Sequence, residues 1–466
     1  MTDSINIIIP DSITSNNIYS FSEVIYMTGY LKKNGVMPNL HIADTNYLKV
    51  NSPVLSGGKN ILVLMWDGEE LIRWLDAYGK YIATDMTILF GLTAQIYGKF
   101  LKADYKYITG SVMSYSYLAL LNMIYDKNAA EYQKPDISEL EYPEISLELL
   151  KSIPMIPVIS SRGCMNNCNF CAVSSIGRLH HEGYQSRKWE SVYKEILAYT
   201  QAGYSRFYFV DSCFVSLDSK NRENIVRLCK KIISDGLKIS FYMETRVDTV
   251  DIELFRLLKM AGLRRVLLGV ENISSQVLKY YNKKIDKNKV LNAITILKDL
   301  EINMDLTMIL FDPMTTIDYL KENITFISEY DLVRYIGLKG VFRRLIIIPD
   351  NTLPYDCSTL EFDKKAGIPD WMSKTVCYHI KDTKVELFEQ FVKAKAEEWI
   401  EYQDSVVRQI NNIRQKKETR QELDNLFLQI VRELLSEMNV IQSKQELDEK
   451  FEWIKKERIK VWSDRK

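Results

Sequence analysis

The sequence is poor in histidine, with 4 in 466 residues, and in cysteine, with 7. So few imidazoles leave little room for histidine-based acid–base chemistry. An odd cysteine count in a long chain, without the basic head and apolar run of a secretion signal in "MTDSINIIIPDS", argues against a disulfide framework. A cytoplasmic protein with reduced thiols is expected. No run approaches the roughly 18 apolar residues of a membrane span, so no membrane partner is expected. Excess charge of one sign is also missing: Lys+Arg and Asp+Glu are both 61. That gives no overall pull toward nucleic acid or anionic lipid. The chain lacks GxGxxG after its first strand, and it lacks GxxxxGK(S/T), HExxH and GxSxG, so the common nucleotide, zinc-protease and hydrolase signatures are absent.

What remains is an ordinary globular balance, 46% hydrophobic and 26% charged, in a length that calls for two or three domains. Over residues 1–126, "INIIIP" (5–10), "NLHIAD" (39–44), "NILVLMWD" (60–67), "MTILFGLTA" (86–94) and "YKYITG" (105–110) read as strands alternating with helices. That pattern implies an α/β, Rossmann-like doubly wound sheet. Residues 127–154 are polar, carry three prolines and read as a linker. A second βα series occupies 155–355, with strands expected at 156–160, 206–210, 238–243, 265–270, 304–310 and 343–348. Six such units imply a partial (β/α)6 barrel. From 356 to 466 long amphipathic stripes, Phe388 to Ile413 and Leu423 to Met438, predict a helical C-terminal domain. The helices and "AGIPDWMSKT" (366–375) are expected to cover the barrel mouth.

Against this background "SSRGCMNNCNFCAVSS" (160–175) stands out, because Cys164, Cys168 and Cys171 fall within eight positions. Thiolates are soft ligands suited to iron–sulfur clusters, zinc or copper(I). Three thiols on one loop fit a four-iron cluster with one iron left open. Zinc would need a fourth ligand, such as His180 or His181, and would make the chain a non-catalytic interaction protein. Burial without metal fits poorly with flanking Asn166, Asn167 and Asn169. Of the other cysteines, Cys229 lies on an apolar helix face, while Cys213 and Cys357 fall near the expected barrel mouth. Polar residues also end several strands, where a βα barrel collects its function: Asp211, Ser212, Glu244, Arg246, Glu271, Asn272 and Asp312.

The CxxxCxxC spacing, with Phe170 before the third cysteine, resembles the radical S-adenosylmethionine (SAM) superfamily. The resemblance implies a [4Fe-4S] cluster on Cys164, Cys168 and Cys171, whose open iron binds SAM, and reductive cleavage to methionine and a 5′-deoxyadenosyl radical. Cofactor contacts carried over with it are Phe170, Asp211 and Ser212 in "VDSCF", Glu244 and Arg246 in "ETRVD", and Gly269 and Glu271 in "GVEN". "DSCF" departs from the two acids common in relatives. A Rossmann-like domain ahead of the barrel resembles the cobalamin-binding subfamily, which implies cobalamin at loops 10–15, 66–68, 91–93 and 110–114. His41 is not in a DxHxxG pattern, and "ITGSVMS" replaces the usual Gly-Glu-Gly-Glu element. The expected activity is cobalamin-dependent C-methylation of a small-molecule or peptide substrate, with an external electron donor such as flavodoxin or ferredoxin. A cobalamin-independent radical SAM enzyme that cyclises, epimerises or cross-links a precursor is the alternative.

Overall fold

Ile7, Ile8 and Ile9 are without exposed surface because the strand they form, Ser4–Pro10, is covered on both faces. The computed structural model describes residues 4–10, 18–65, 69–82, 86–126, 128–141, 143, 153–349, 353 and 359–464. The first sheet joins Ser4–Pro10, Pro38–Ala43, Gly58–Val63, Thr87–Phe90 and Gly110–Ser111 in the order 2-1-3-4-5, all parallel. Side chains alternate between two cores. Ile8, Leu62 and Leu89 pack with Leu48, Trp74, Leu75 and Tyr97 on one face. Ile7, Ile9, Ile61 and Phe90 enter the other core with Phe21, Val24 and Leu120, and that core runs on without a break into the barrel. Helices Ile18–Lys33 and Tyr117–Tyr125 therefore carry the apolar join between the two sheets.

The strand expected at 105–110 is nearly absent. Tyr105 closes helix Leu92–Asp104 by donating its N–H to Leu101 O, and only Gly110–Ser111 pairs with the sheet. Tyr105 and Tyr107 imitate a strand in composition, but Tyr107 packs its ring on Tyr78 at 5.2 Å. Tertiary packing, not a ladder, is what these aromatics serve.

The second sheet runs Ile156–Val158, Arg206–Phe209, Ser240–Arg246, Leu263–Glu271 and Asn303–Met308, parallel and in sequence order. The expected sixth strand is reduced to its first residues: Arg344 bridges Phe311, and Leu345 N–H donates to Phe311 O at 2.7 Å. Beyond it Ile347 N–H turns to Thr375 O instead. Three of the helices that follow strands start on an aspartate cap, Asp218, Asp251 and Asp286, and a fourth starts on Thr316. Along Ser240–Arg246, Phe241, Met243 and Thr245 are buried, while Tyr242 and Glu244 face a half-open lumen. A closed barrel would fill that space with packed layers.

Three helices end the described chain: Thr383–Arg408, Ile413–Glu437 and Lys444–Ser463. The first expected stripe is split, because Asn412 caps a new helix at Ile413. The second of them packs against helix Ile317–Glu329 on the outside of the barrel rather than over its mouth, and the other two pack against that second helix. The 366–375 stretch also goes elsewhere. Trp371 stacks on Phe100 at 5.3 Å and 14° and donates Nε1–H to Asp104, straddling the N-terminal domain. Among the described residues no helix is long and apolar enough to cross a membrane.

Candidate active site

The end of the first barrel strand is fixed from three sides before the cysteine loop begins. Ile159 N–H donates to Tyr26 Oη at 2.9 Å, and Arg187 Nη1 donates to Ile159 O at 2.9 Å. Both side chains meet Glu195, which accepts from Tyr26 Oη at 2.7 Å and pairs with Arg187 at 2.6 Å, fully buried. Asp211 Oδ1 accepts Ser160 N–H, Ser160 Oγ and Ser161 Oγ at 3.0, 3.0 and 2.6 Å. Gly163 then turns the chain at φ +79°, a conformation that favours glycine, and a Cβ there would crowd Gly183 O at 3.0 Å.

The asparagines between the cysteines shape the loop. Asn166 offers its N–H and Nδ2 to Cys164 Sγ at 3.5 and 3.6 Å. Asn169 N–H and Nδ2 hold Tyr281 O and Tyr280 O at 2.9 and 2.7 Å, and Asn282 Nδ2 holds Asn167 O at 2.7 Å. Arg246 donates Nη1–H to Cys168 Sγ at 3.4 Å while Asp248 grips its Nε and Nη2 at 2.8 and 2.9 Å. The neighbouring Cys213 thiol lowers the Cys164 thiol to about 6, while burial pushes Cys168 and Cys171 upward. Among the described residues no three His, Cys, Asp or Glu side chains gather tightly enough for one metal ion.

The other expected site residues divide into two groups. Cys164, Cys171, Ser212 and Glu244 line a cavity of about 510 Å³ whose opposite wall is the N-terminal domain, with Met65, Leu92 and Tyr115. Glu244 accepts from Tyr208 and from Tyr19, a residue of helix Ile18–Lys33, and the two hydroxyls meet at 2.7 Å. Beside the cavity, Phe170 packs on Tyr281 at 4.8 Å, and Glu271, at φ +64°, pairs with buried Lys283 at 2.8 Å. Gly269 makes that pair possible: a Cβ would lie 2.6 Å from Glu271 Oε1 and 3.0 Å from Lys283 Nζ. Asp211 is buried against Ser160 and Ser161 and is not part of the cavity wall.

Of the four sheet-edge loops, residues 11–15 and 66–68 lie outside the described residues, as does Cys357. Leu92 from 91–93 reaches the cavity, and Tyr115 follows 110–114. Gly91, at φ +101°, lets the loop close over Leu64 O, 2.5 Å from where a Cβ would sit. His41 lies against Tyr47 and Asn6, at 2.9 and 3.3 Å. Cys229 is buried, as its helix face implied.

Sequence reading missed the seam across the cavity. Arg162 pairs with Glu23 at 3.0 Å, takes Tyr117 Oη at 2.9 Å and lies 4.5 Å from the Tyr115 ring. The signal was Glu23, an acid buried within an otherwise apolar helix face. Three cavity residues keep a buried polar atom without a protein partner: Arg162 Nη1, Arg178 Nη1 and Glu182 Oε1. Such atoms cost about 1–3 kcal/mol each unless a ligand or water satisfies them, so the wall fits a polar ligand. Its volume lies in the usual range for small-molecule sites.

Residues 158–327 match the family model of the radical SAM superfamily, so the barrel is a radical SAM domain. That superfamily implies a [4Fe-4S] cluster and SAM, and the thiol loop and the polar cavity beside it fit both. The whole chain shares the fold of cobalamin-dependent members. It matches the cobalamin-dependent S-adenosylmethionine radical enzyme OxsB with aqua-cobalamin bound at a TM-score of 0.73 and 14% identity, covering 99% of this chain and 81% of that one. The radical SAM methyltransferase TsrM from Kitasatospora setae matches at a TM-score of 0.58 and 14% identity, over 71% of this chain and 74% of that one. In sequence the chain is 28% identical over 214 residues to a putative methylthiotransferase of Methanocaldococcus jannaschii, 42% of this chain and 47% of that protein. The chain spans about half the length of the first curated relatives it matches, 47% and 48%.

Proposed function

We propose that this protein is a cobalamin-dependent radical SAM methyltransferase acting on an unactivated carbon of a small molecule or peptide. Residues 1–126 hold the corrinoid, 155–355 hold the cluster and SAM, and 356–466 buttress the barrel. The observation that carries the reading is the shared cavity. One space is walled by Cys164 and Cys171 on the barrel side and by Met65 and Leu92 at the edge of the first sheet. Doubly wound sheets bind ligands at that edge, outside the carboxyl ends of their strands.

When bound, the cluster supplies the electron that splits SAM, and the corrinoid supplies the methyl carrier. The chain's own work is placement. Cys164, Cys168 and Cys171 hold the cluster, with Arg246 bringing positive charge to the sulfur side. Arg162 and Arg178 bring positive charge to the cavity wall, where it suits a carboxylate or phosphate group. Tyr19, Tyr208 and Glu244 present a carboxylate with fixed hydroxyls to the substrate side of the same space. An external one-electron donor such as flavodoxin or ferredoxin completes the cycle.

The test is reconstitution without oxygen, followed by iron and sulfide analysis and mass spectrometry after adding reductant and SAM, with and without cobalamin. Four irons per chain, 5′-deoxyadenosine, and S-adenosylhomocysteine that forms only with cobalamin support the proposal. Deoxyadenosine without any corrinoid retained would replace it with a cobalamin-independent radical enzyme. Intact SAM and one zinc per chain would refute both.

A further inference from the structure

We infer that the lysine-rich surface at 279–289 is the docking site for the acidic protein that delivers the electron. The inference rests on the proposed function, which requires a reductant, and adds where that reductant binds. Four lysines here are exposed, Lys279, Lys284, Lys287 and Lys289, against the acids Asp286 and Glu322. None of the four forms an ion pair among the described residues, in contrast to buried Lys283 between them, which pairs with Glu271. In a chain whose charges sum to zero, this is a local positive field set against a net negative remainder. The surface is concave: Lys279, Lys284 and Lys287 line an open groove of about 550 Å³ with Asn282, Asn288 and Glu322.

Its position gives the charge a purpose. The turn that starts the patch is bonded directly to the cysteine loop, through Asn282 Nδ2 to Asn167 O at 2.7 Å and Asn169 N–H to Tyr281 O at 2.9 Å. Met165, between the first two cysteines, is itself exposed, while Asn167 lines the cavity and is bonded to Asn282 of the groove, so the cluster loop lies between groove and cavity. Substrate and SAM would occupy the cavity between barrel and N-terminal domain, across the cysteine loop from the groove, with Cys164, Asn167 and Cys171 in its wall. An electron can thus enter from outside without opening that cavity. Electron-transfer partners meet through small, weak interfaces steered by charge, and three exposed lysines lining a groove, with Lys289 beyond it, suit such an encounter.

The test compares two reductants on the anaerobically reconstituted holoprotein. One is dithionite, which is small and needs no docking surface. The other is an acidic flavodoxin kept reduced by its NADPH-dependent reductase. In the variant Lys279→Glu/Lys284→Glu, dithionite-driven 5′-deoxyadenosine formation should equal wild type, which also shows that the variant folds and holds its cluster. Flavodoxin-driven formation should fall about tenfold or more at low ionic strength, with a smaller gap at high salt. Binding of oxidised flavodoxin, followed by its flavin fluorescence, should weaken in parallel. Lys279→Gln/Lys284→Gln should lie between. Equal flavodoxin rates and equal binding in wild type and the Glu variant would overturn the docking site while leaving the proposed function standing. No deoxyadenosine from wild type with dithionite would overturn the proposed function, and the docking site with it.

Discussion

Asp211 lets the structure be tested through pH. It is 1% exposed, and Oδ1 receives all three serine donors while Oδ2 has no protein partner. Burial outweighs those bonds and raises its pKa from 3.8 to about 6. The folded state therefore holds this proton more tightly than the unfolded chain does. Asp211's contribution is most favourable below the unfolded value and declines as pH rises from about 4 to about 6, after which the loss is complete. A shift of about two units corresponds to about 3 kcal/mol, roughly half of it falling above pH 5. Asp211→Asn keeps an acceptor for Ser160 and Ser161 but cannot ionise. It carries instead a buried amide N–H in the place of Oδ2, a cost that does not change with pH. The assay is urea denaturation of cluster-free protein near pH 5 and pH 8. Wild type should lose about 1–2 kcal/mol more than the variant between the two conditions, whichever protein is more stable overall. Parallel pH profiles would refute the argument, because they would mean that the folded and unfolded carboxyls titrate alike.

Other parts of the site give their own expectations. Replacing Cys164, Cys168 or Cys171 by Ala should each abolish the iron–sulfur absorbance and SAM cleavage; retained cleavage would remove the cluster assignment. Arg162→Met strips a partner from an ion pair whose side chains are 11% and 7% exposed. It should cost about 3–5 kcal/mol in denaturant titration, and Glu23→Gln added to it should recover part of the loss. Gly269→Ala forces a Cβ against Glu271 and Lys283 and should destabilise by about 1–3 kcal/mol, with weaker SAM binding by calorimetry. Trp371→Ala removes the stack on Phe100 and should speed proteolysis within 359–378 without changing dithionite-driven SAM cleavage.

Much of the architecture was legible because the signals were local. "INIIIP" could be read as a strand from its run of isoleucines, and the strands at 206–210 and 265–270 from their apolar runs. The cysteine spacing is likewise a local pattern, fixed within eight residues. Failures came where packing at a distance decides. Tyr105 and Tyr107 have strand-like composition, yet their rings are drawn to helix Glu69–Tyr81 and away from a ladder. The apolar run at 343–348 has a strand's sequence, but Tyr378 Oη and Thr375 O take its backbone after the first bonds to Phe311. Nothing near those residues in sequence announces the competitor.

The seam between the domains is the hardest case, and it defines the cavity. Tyr19, Glu23 and Tyr26 lie on one helix at a spacing that puts them on a common face, which by pattern alone is an ordinary helix side. Their partners are Glu244, Arg162 and Glu195, separated from them by 225, 139 and 169 positions. Each pairing buries charge or a hydroxyl against a charge, and a different register would leave a buried group unpaired, at several kcal/mol for a charge. The apolar core beneath them is continuous between the two sheets. The walls of the cavity are thus tied both by shared hydrophobic burial, which is indifferent to partner, and by polar pairs, which are not. The hydrophobic part explains why the two sheets adhere. The polar pairs set the register in which Cys164 and Glu244 face Met65 and Leu92, and so determine that the cysteine loop and the edge of the first sheet open onto one space.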